Sequence, residues 1–481
     1  MYTDEQQAII NSNARRLRVI AGPGTGKTST LVGYAQARDE SMLYLAYNKS
    51  IQLEASRKFP KNVRCLTTHA LAFPTHGKPY AHKLGNLRIG DIAEILRISY
   101  PYAAMVNSTL NNFLSSVDEK ITADHFPPDI NRKNFIEVNT VLLGAKSLWK
   151  RMQDVDDKRV PMQHDGYLKL FVMSKPKLNY PKILFDESQD SNPLTTKLVL
   201  DHDGGLVCVG DGAQAIYQFR GARDALKEIA DAETYTLTQS FRFGPPIARI
   251  ANRILEYLGM DHRLTGAGQC QDTRMSIDTS QPYAYIARTN MAVIQAAIFT
   301  LTSRQRSFYV GGVENIRLSL IEDGYRLFRG DLNAIKDRFV KKFKSISALE
   351  LYAQEAGDVE MNLLCNVTKT YSHDIPQIVQ QIRDLSVDSI QDADRVFSTC
   401  HKAKGLEFPQ VRLADDFPDL VERGQLIPLK DMDPQDVNLH FVAATRAMEA
   451  LEVSPQLREF LEVVDNPRLI DRVHSLNRQP R

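Results

Sequence analysis

Ala21 to Thr28 reads AGPGTGKT, and this octapeptide restricts the possible folds more than any other stretch of the chain. It follows the apolar run LRVIAG (Leu17 to Gly22) and precedes TSTLVGYAQA, which has the composition of a helix. Three glycines without Cβ atoms let backbone N–H groups wrap an anion, and a helix N-terminus then faces that anion. Gly22, Gly24 and Gly26 provide the loop, Lys27 reaches the outer phosphates, and the Thr28 hydroxyl is placed to ligate Mg²⁺. The strict pattern has glycine where Ala21 stands, so the match departs by one methyl group. A strand–loop–helix unit of this kind belongs to a parallel sheet.

Further short apolar runs fit the same sheet: MLYLAY (Met42 to Tyr47), VRCLTT (Val63 to Thr68), KILFDE (Lys182 to Glu187) and LVCVGD (Leu206 to Asp211). Buried parallel strands read this way, and ligands gather at their carboxyl ends. The fourth run delivers Asp186 and Glu187. An acidic pair after a strand is by itself usually a solvated turn. Beside a phosphate loop it becomes a candidate for holding Mg²⁺ (Asp186) and for orienting or deprotonating the attacking water (Glu187). Phosphoryl transfer also needs cations on the departing phosphate; Arg242 and Arg446 follow strand ends in the second half, though composition alone nominates neither.

A second strand set is expected at TYTLTQS (Thr234 to Ser240), YAYIART, SFYVGG, RVFSTC and VRLAD. The expected organisation is α/β: two RecA-like parallel-sheet P-loop domains, each with a mainly helical insertion. Residues 1–72 and 182–233 form the first domain, with 73–181 inserted. Residues 234–314 and 393–481 form the second, with 315–392 inserted.

The 481 residues carry a formal net charge of only +2, with 43% hydrophobic and 25% charged residues, which is globular composition. Any nucleic-acid site must therefore be a local groove. The basic run Lys336 to Lys344 reads first as a solvated helix face. Five cysteines lie far apart without metal spacing, which suggests a reducing compartment. No signal-like start or spanning apolar stretch is seen, so a cytoplasmic protein without membrane association is expected, nucleoid-associated in a bacterial or viral setting.

The ordered motifs resemble those of superfamily 1 helicases of the UvrD/Rep type, and most closely the helicase portion of the F-box DNA helicases. TDEQQAII resembles the Q motif, LAYNKS motif Ia, TTHALA motif Ib, DESQD motif II and VGDGAQAIYQFRGA motif III. LTQSFRF resembles motif IV, STCHKAKGLEF motif V and FVAATRA motif VI. The resemblance implies that Gln6 reads adenine, Phe241 stacks on it, Glu407 contacts the sugar, and Gln214 senses the γ-phosphate. Arg242 and Arg446 take arginine-finger roles. It further implies DNA contacts by Asn48, Lys49, Thr68, His69, Tyr217, Phe219, Arg220 and His401.

Four departures bear on these expectations. Phe219 stands where UvrD-like enzymes usually have Trp, Thr68 where an aromatic is common, and Phe441 where Tyr is usual. The second insertion is much shorter than in UvrD or Rep. An F-box is not expected, because the Q motif lies at the first residues, and ubiquitin-ligase partnership is not carried over. An attached nuclease is not expected either. The implied activity is ATP- and Mg²⁺-dependent translocation on single-stranded DNA, 3′ to 5′ by family precedent. It would unwind tailed or forked duplexes, or displace bound proteins, in repair or recombination. An ATP-gated nucleic-acid sensor without processive movement is the alternative, and a non-motor binding module is disfavoured by the intact candidate set.

Overall fold

The computed structural model describes residues 2–127, 135–217, 224–270, 274–316, 318–337, 339–356 and 358–466. The chain is α/β and built on two parallel sheets. The first has the order β3-β2-β4-β5-β1-β6, with strands β1 (Arg16–Ala21), β2 (Met42–Ala46), β3 (Val63–Thr67), β4 (Lys182–Phe185), β5 (Gly205–Gly210) and β6 (Glu233–Leu237). Strands β2, β4 and β5 are buried along their whole length, which explains their unbroken apolar character.

A two-stranded parallel pair, β7 (Gln239–Ser240) with β8 (Thr265–Gly266), follows. The second large sheet contains β9 (Tyr283–Ala287), β10 (Ser307–Tyr309), β11 (Arg395–Thr399) and β12 (Phe408–Leu413). A small antiparallel hairpin, β13 (Val421–Glu422) with β14 (Gln425–Leu426), precedes its last strand, β15 (Ala447–Glu452). The order is β10-β11-β9-β12-β15.

One expectation is corrected here. The stretch Thr234 to Ser240 does not open the second sheet. Strand β6 pairs in parallel with β1, from Leu17↔Glu233 to Ala21↔Leu237, and so closes the edge of the first. Its outward residues are exposed, as an edge strand permits, and nothing in its own pattern says which sheet it joins. The chain then crosses between the domains over three residues held close to the phosphate loop. Thr238 donates from N and Oγ1 to the Glu5 carboxylate at 2.8 and 2.6 Å, and Ser240 Oγ donates to Pro23 O at 2.8 Å.

Between β3 and β4 the helices Ile89–Leu96, Tyr100–Ser115, Phe135–Gln153 and His164–Met173 share an apolar core that includes Val106, Leu110, Phe113, Leu148 and Leu168. Lys169 is buried in it, its ammonium donating to Phe113 O and Ser116 O and lying over the Phe113 ring. Between β10 and β11 lie the helices Leu318–Arg329, Ile346–Ala356, Val359–Tyr371 and Ile375–Asp384. The two helical regions touch: the Tyr100 ring meets that of Tyr352 at 4.5 Å, and Arg88 pairs with Asp337 at 3.1 Å. Among the described residues no helix is long and apolar enough to cross a membrane.

Candidate functional site

Strand β1 ends at Ala21, whose methyl group is fully buried in the core between the sheet and its helices, so the departure from glycine there is absorbed by packing. The loop then turns through Gly24 (φ +74°) and Gly26 (φ +80°), a region that L side chains rarely adopt. Gly26 starts helix Lys27–Gln36 without a side-chain cap, which leaves the first helical N–H groups open to an anion. A Cβ on Gly24 would sit 2.6 Å from Arg242 Cβ and 2.7 Å from Ser240 Oγ, and one on Gly26 would sit 2.6 Å from Gln6 Nε2. Gly24 is required by close approach as well as by backbone conformation, and Gly26 by backbone conformation.

Strand β4 carries Asp186 and Glu187 to the same end of the sheet. Asp186 Oδ2 accepts from Tyr44 Oη at 2.8 Å, and Oδ1 accepts from the Glu187 amide at 2.9 Å. Glu187 holds a left-handed backbone (φ +50°), a strain of about 1–3 kcal/mol concentrated at this turn. Its carboxylate accepts from Gln189 Nε2 at 2.6 Å and lies 3.5 Å from the Lys27 ammonium. Burial, then the neighbouring Glu187, raises the Asp186 carboxyl above its ordinary range. Burial would also raise Glu187, but the charges of Lys27 and then Lys404 prevail and hold it low.

No group of three His, Cys, Asp or Glu side chains able to hold a metal occurs among the described residues. Asp186 and Thr28, both on one cavity, offer instead a sparse set of hard oxygens. Such a set suits Mg²⁺, which keeps waters and takes phosphate oxygens alongside one or two protein ligands.

The facing wall comes from the second domain. Arg242 Nε donates to Glu407 Oε2 at 2.8 Å and Nη1 donates to Thr445 O at 3.2 Å. Arg446 is only 1% exposed. It donates from Nε to Val442 O at 2.9 Å and from Nη1 to Leu406 O at 3.3 Å, and its Nη2 faces Gln214 Oε1 at 3.5 Å. Burial, then Arg242, lowers its pKa to about 9, still cationic at neutral pH. A single cavity of about 310 Å³ is lined by Gly24, Gly26, Lys27, Thr28, Asp186, Glu187, Gln214, Arg242 and Arg446. Gly22 lies at the loop's base, where an added Cβ would run into Leu264.

The remaining nucleotide-site candidates sit differently. Gln6 is 4% exposed, and its amide is engaged by backbone: Oε1 accepts from Thr3 N at 3.0 Å and Nε2 donates to Thr25 O at 3.3 Å. In this arrangement it braces the loop. Phe241 is 47% exposed, and its N–H donates to Gly24 O at 2.9 Å. Its ring is thus an open face at the rim.

The nucleic-acid candidates fall at neighbouring strand ends, since Ala46 on β2 pairs with Thr67 on β3. Asn48 Oδ1 caps helix Lys49–Lys58 through the Ile51 amide at 2.9 Å, and both Asn48 and Lys49 are exposed. Thr68 and His69 open the next helix, and His69 Nε2 lies 3.0 Å from Asp165 Oδ1. Tyr217 stacks on Tyr47 with ring centroids 5.3 Å apart and donates its hydroxyl proton to His401 O at 2.8 Å. His401 Nε2 in turn meets Ile216 O at 3.1 Å. Phe219 and Arg220 lie outside the described residues.

Sequence reasoning passed over Tyr44, Gln189 and Lys404, each bonded to the acidic turn or its neighbours. Lys404 lies within STCHKAKGLEF, so the motif marked its neighbourhood and not its partner.

Two family models match the chain: an AAA domain over residues 5–220 and a UvrD-like helicase C-terminal domain over residues 274–457. F-box DNA helicase 1 of Gallus gallus is 34% identical over 511 residues, covering 95% of this chain and 49% of that protein. F-box DNA helicase protein 1 of Schizosaccharomyces pombe is 28% identical over 501 residues, covering 93% of this chain and 57% of that protein. The chain thus spans about half the length of these curated relatives.

Proposed function

Because the chain belongs to the UvrD-like superfamily 1 helicases, we propose that it is an ATP-driven motor that moves on single-stranded DNA and unwinds tailed or forked duplexes. One observation carries this reading: Lys27, Asp186 and Glu187 on one domain share a cavity with Arg242 and Arg446 on the other. A ligand seated there is held by both domains at once, which is what couples hydrolysis to relative movement.

Lys27 and the open amides of the loop neutralise the outer phosphates, while Glu187, held ionised by its cations, orients a water for in-line attack. Asp186 and Thr28 would hold a Mg²⁺ ion, which would supply positive charge to offset that of the phosphates. Arg242 and Arg446 stabilise the charge that builds on the departing phosphate. After its loss the two walls no longer share an anion, and the cleft is free to open. Alternating grip by the Tyr217–His401 face and by Asn48 and Lys49 then turns opening and closing into travel. The role we assign is remodelling of DNA in repair or recombination, in whatever compartment holds that DNA, with 3′-to-5′ polarity.

Displacement of a labelled strand from 3′-tailed and 5′-tailed duplexes tests the reading. ATP-dependent displacement from the 3′-tailed substrate is expected. ATP hydrolysis stimulated by DNA, with no displacement and no movement along single strands, would instead favour an ATP-gated sensor.

A further inference from the structure

Beyond helping to keep Glu187 ionised, Lys404 makes no contact described in the chemistry above, yet it is a buried cation that bridges the two domains. It follows the short helix Cys400–Ala403 on the second domain, but its ammonium reaches the first. There it pairs with the Asp190 carboxylate, donates to Gln214 O at 2.5 Å, and lies 5.4 Å from the centre of the Tyr217 ring. Both side chains of the pair are buried, with 8% and 1% of their surface exposed. The second Asp190 oxygen, Oδ1, is buried with no hydrogen-bond partner, so this carboxylate depends on Lys404 for its charge balance. Buried ion pairs add little net stability, because desolvation offsets the attraction, and they are better suited to fixing one arrangement over another.

The geometry around the pair says which arrangement is fixed. Residues 214–217 of the first domain are gripped at both ends by residues 401–404 of the second. Lys404 holds the Gln214 carbonyl, whose side chain faces Arg446 in the nucleotide cavity. Three residues on, His401 takes the Tyr217 hydroxyl with its carbonyl and meets the Ile216 carbonyl with its ring. One short segment therefore touches the nucleotide end and the base-facing end of the same loop.

We infer that Lys404 is a positioning residue: through Asp190 and Gln214 it ties closure of the nucleotide cavity to the placement of Tyr217 at the nucleic-acid face. This rests on the motor reading above.

Steady-state ATP hydrolysis, with and without a thymidine homopolymer, tests it in the full chain. Lys404→Met should lower the DNA-stimulated kcat by about tenfold or more while KM for ATP changes less than about threefold, the pattern of lost coupling rather than lost binding. Lys404→Arg, which keeps the charge, should restore much of the stimulation. Asp190→Asn should reproduce the loss, and the double variant should be no worse than either single one, because the two act as a unit. Full stimulation in Lys404→Met, or losses that multiply in the double variant, would overturn the inference. Should Lys404→Met fail to melt cooperatively, Asp190→Asn alone carries the test, and full stimulation in it would overturn the inference. Absence of DNA-stimulated hydrolysis in the unaltered chain would sink the motor reading and this role with it. Stimulation that Lys27→Ala abolishes and Lys404→Met leaves whole would sink this role alone.

Discussion

The Lys27 ammonium lies 3.5 Å from a carboxylate oxygen of Glu187, so the cation proposed to bind phosphate and the carboxylate proposed as base neutralise one another across the candidate nucleotide cavity. A phosphate entering between them replaces one anion beside Lys27 with another and leaves Glu187 free to address a water. Glu187→Gln should therefore keep nucleotide binding and lose turnover by about 10²–10⁴-fold, the usual span for a general base. Lys27→Ala should lose both. Nucleotide titration beside steady-state hydrolysis separates the two, and a Glu187→Gln protein with near-normal turnover would remove it from the chemistry.

The two arginines should separate by stability. The Arg242 partner Glu407 is half exposed, at 51% of its side chain, and adds less than about 1 kcal/mol, so Arg242→Ala should lose mainly the one bond to the Thr445 carbonyl, at about 1–3 kcal/mol. Its kcat should nonetheless fall by about 10³–10⁵-fold if it acts as a finger. Arg446 is fully buried and satisfies the carbonyls of Val442 and Leu406. Arg446→Ala should therefore lower the melting temperature as well as activity, because it strips the Leu406 carbonyl of its donor, at about 1–3 kcal/mol, and empties a buried side-chain volume, while Val442 O keeps Thr445 Oγ1. Calorimetry alongside hydrolysis rates checks both.

Gly24→Ala should abolish hydrolysis in a protein that still folds. The new methyl group would press on Arg242 Cβ and Ser240 Oγ and force the second domain away from the loop. Gly312→Ala is the matched comparison, with φ +92° and no atom within 4 Å of the added Cβ. It should cost about 1–2 kcal/mol from backbone conformation alone and leave the rate per folded molecule unchanged. Equal activity in both variants would show that the close approach is unimportant.

His440 gives the fold an acid limit. Burial lowers its pKa from 6.5 to about 4, partly offset by its bond to Pro418 O, with a still smaller lowering by the Arg288 charge. Its Nε2 donates to that carbonyl at 2.8 Å, and Nδ1 is buried without a partner, so the folded state holds the neutral ring. The unfolded chain binds the proton more readily between pH 6.5 and 4. Stability from this group is therefore complete above pH 6.5 and declines as pH falls towards 4, by about 3 kcal/mol in all. His440→Leu should be less stable at neutral pH but show a flatter decline, which denaturant titrations at several pH values will reveal.

The phosphate loop and the acidic turn were legible because each is a local pattern whose chemistry needs particular residues at fixed spacing, whereas Arg242 and Arg446 stood out only through the ordered motifs of the family they resemble. Sheet membership was harder. Strand β6 has the pattern of any edge strand, and its choice of β1 as partner is made by the chain's path. Long-range pairs were harder still: Asp190 and Lys404 are separated by 214 positions, and neither neighbourhood names the other. Gln6 stood out as a residue, while its bracing of the loop through Thr25 could only be seen once helix and loop were packed together.

The crossing from β6 to the second domain gives the molecule a short lever. The Glu5 carboxylate clasps Thr238 and the Pro23 carbonyl clasps Ser240, so the crossing is tied on one side to the first helix and on the other to the backbone of the phosphate cradle. Any shift of the cradle on filling would therefore reach the start of the second lobe through a direct hydrogen bond, with no intervening loop to absorb it.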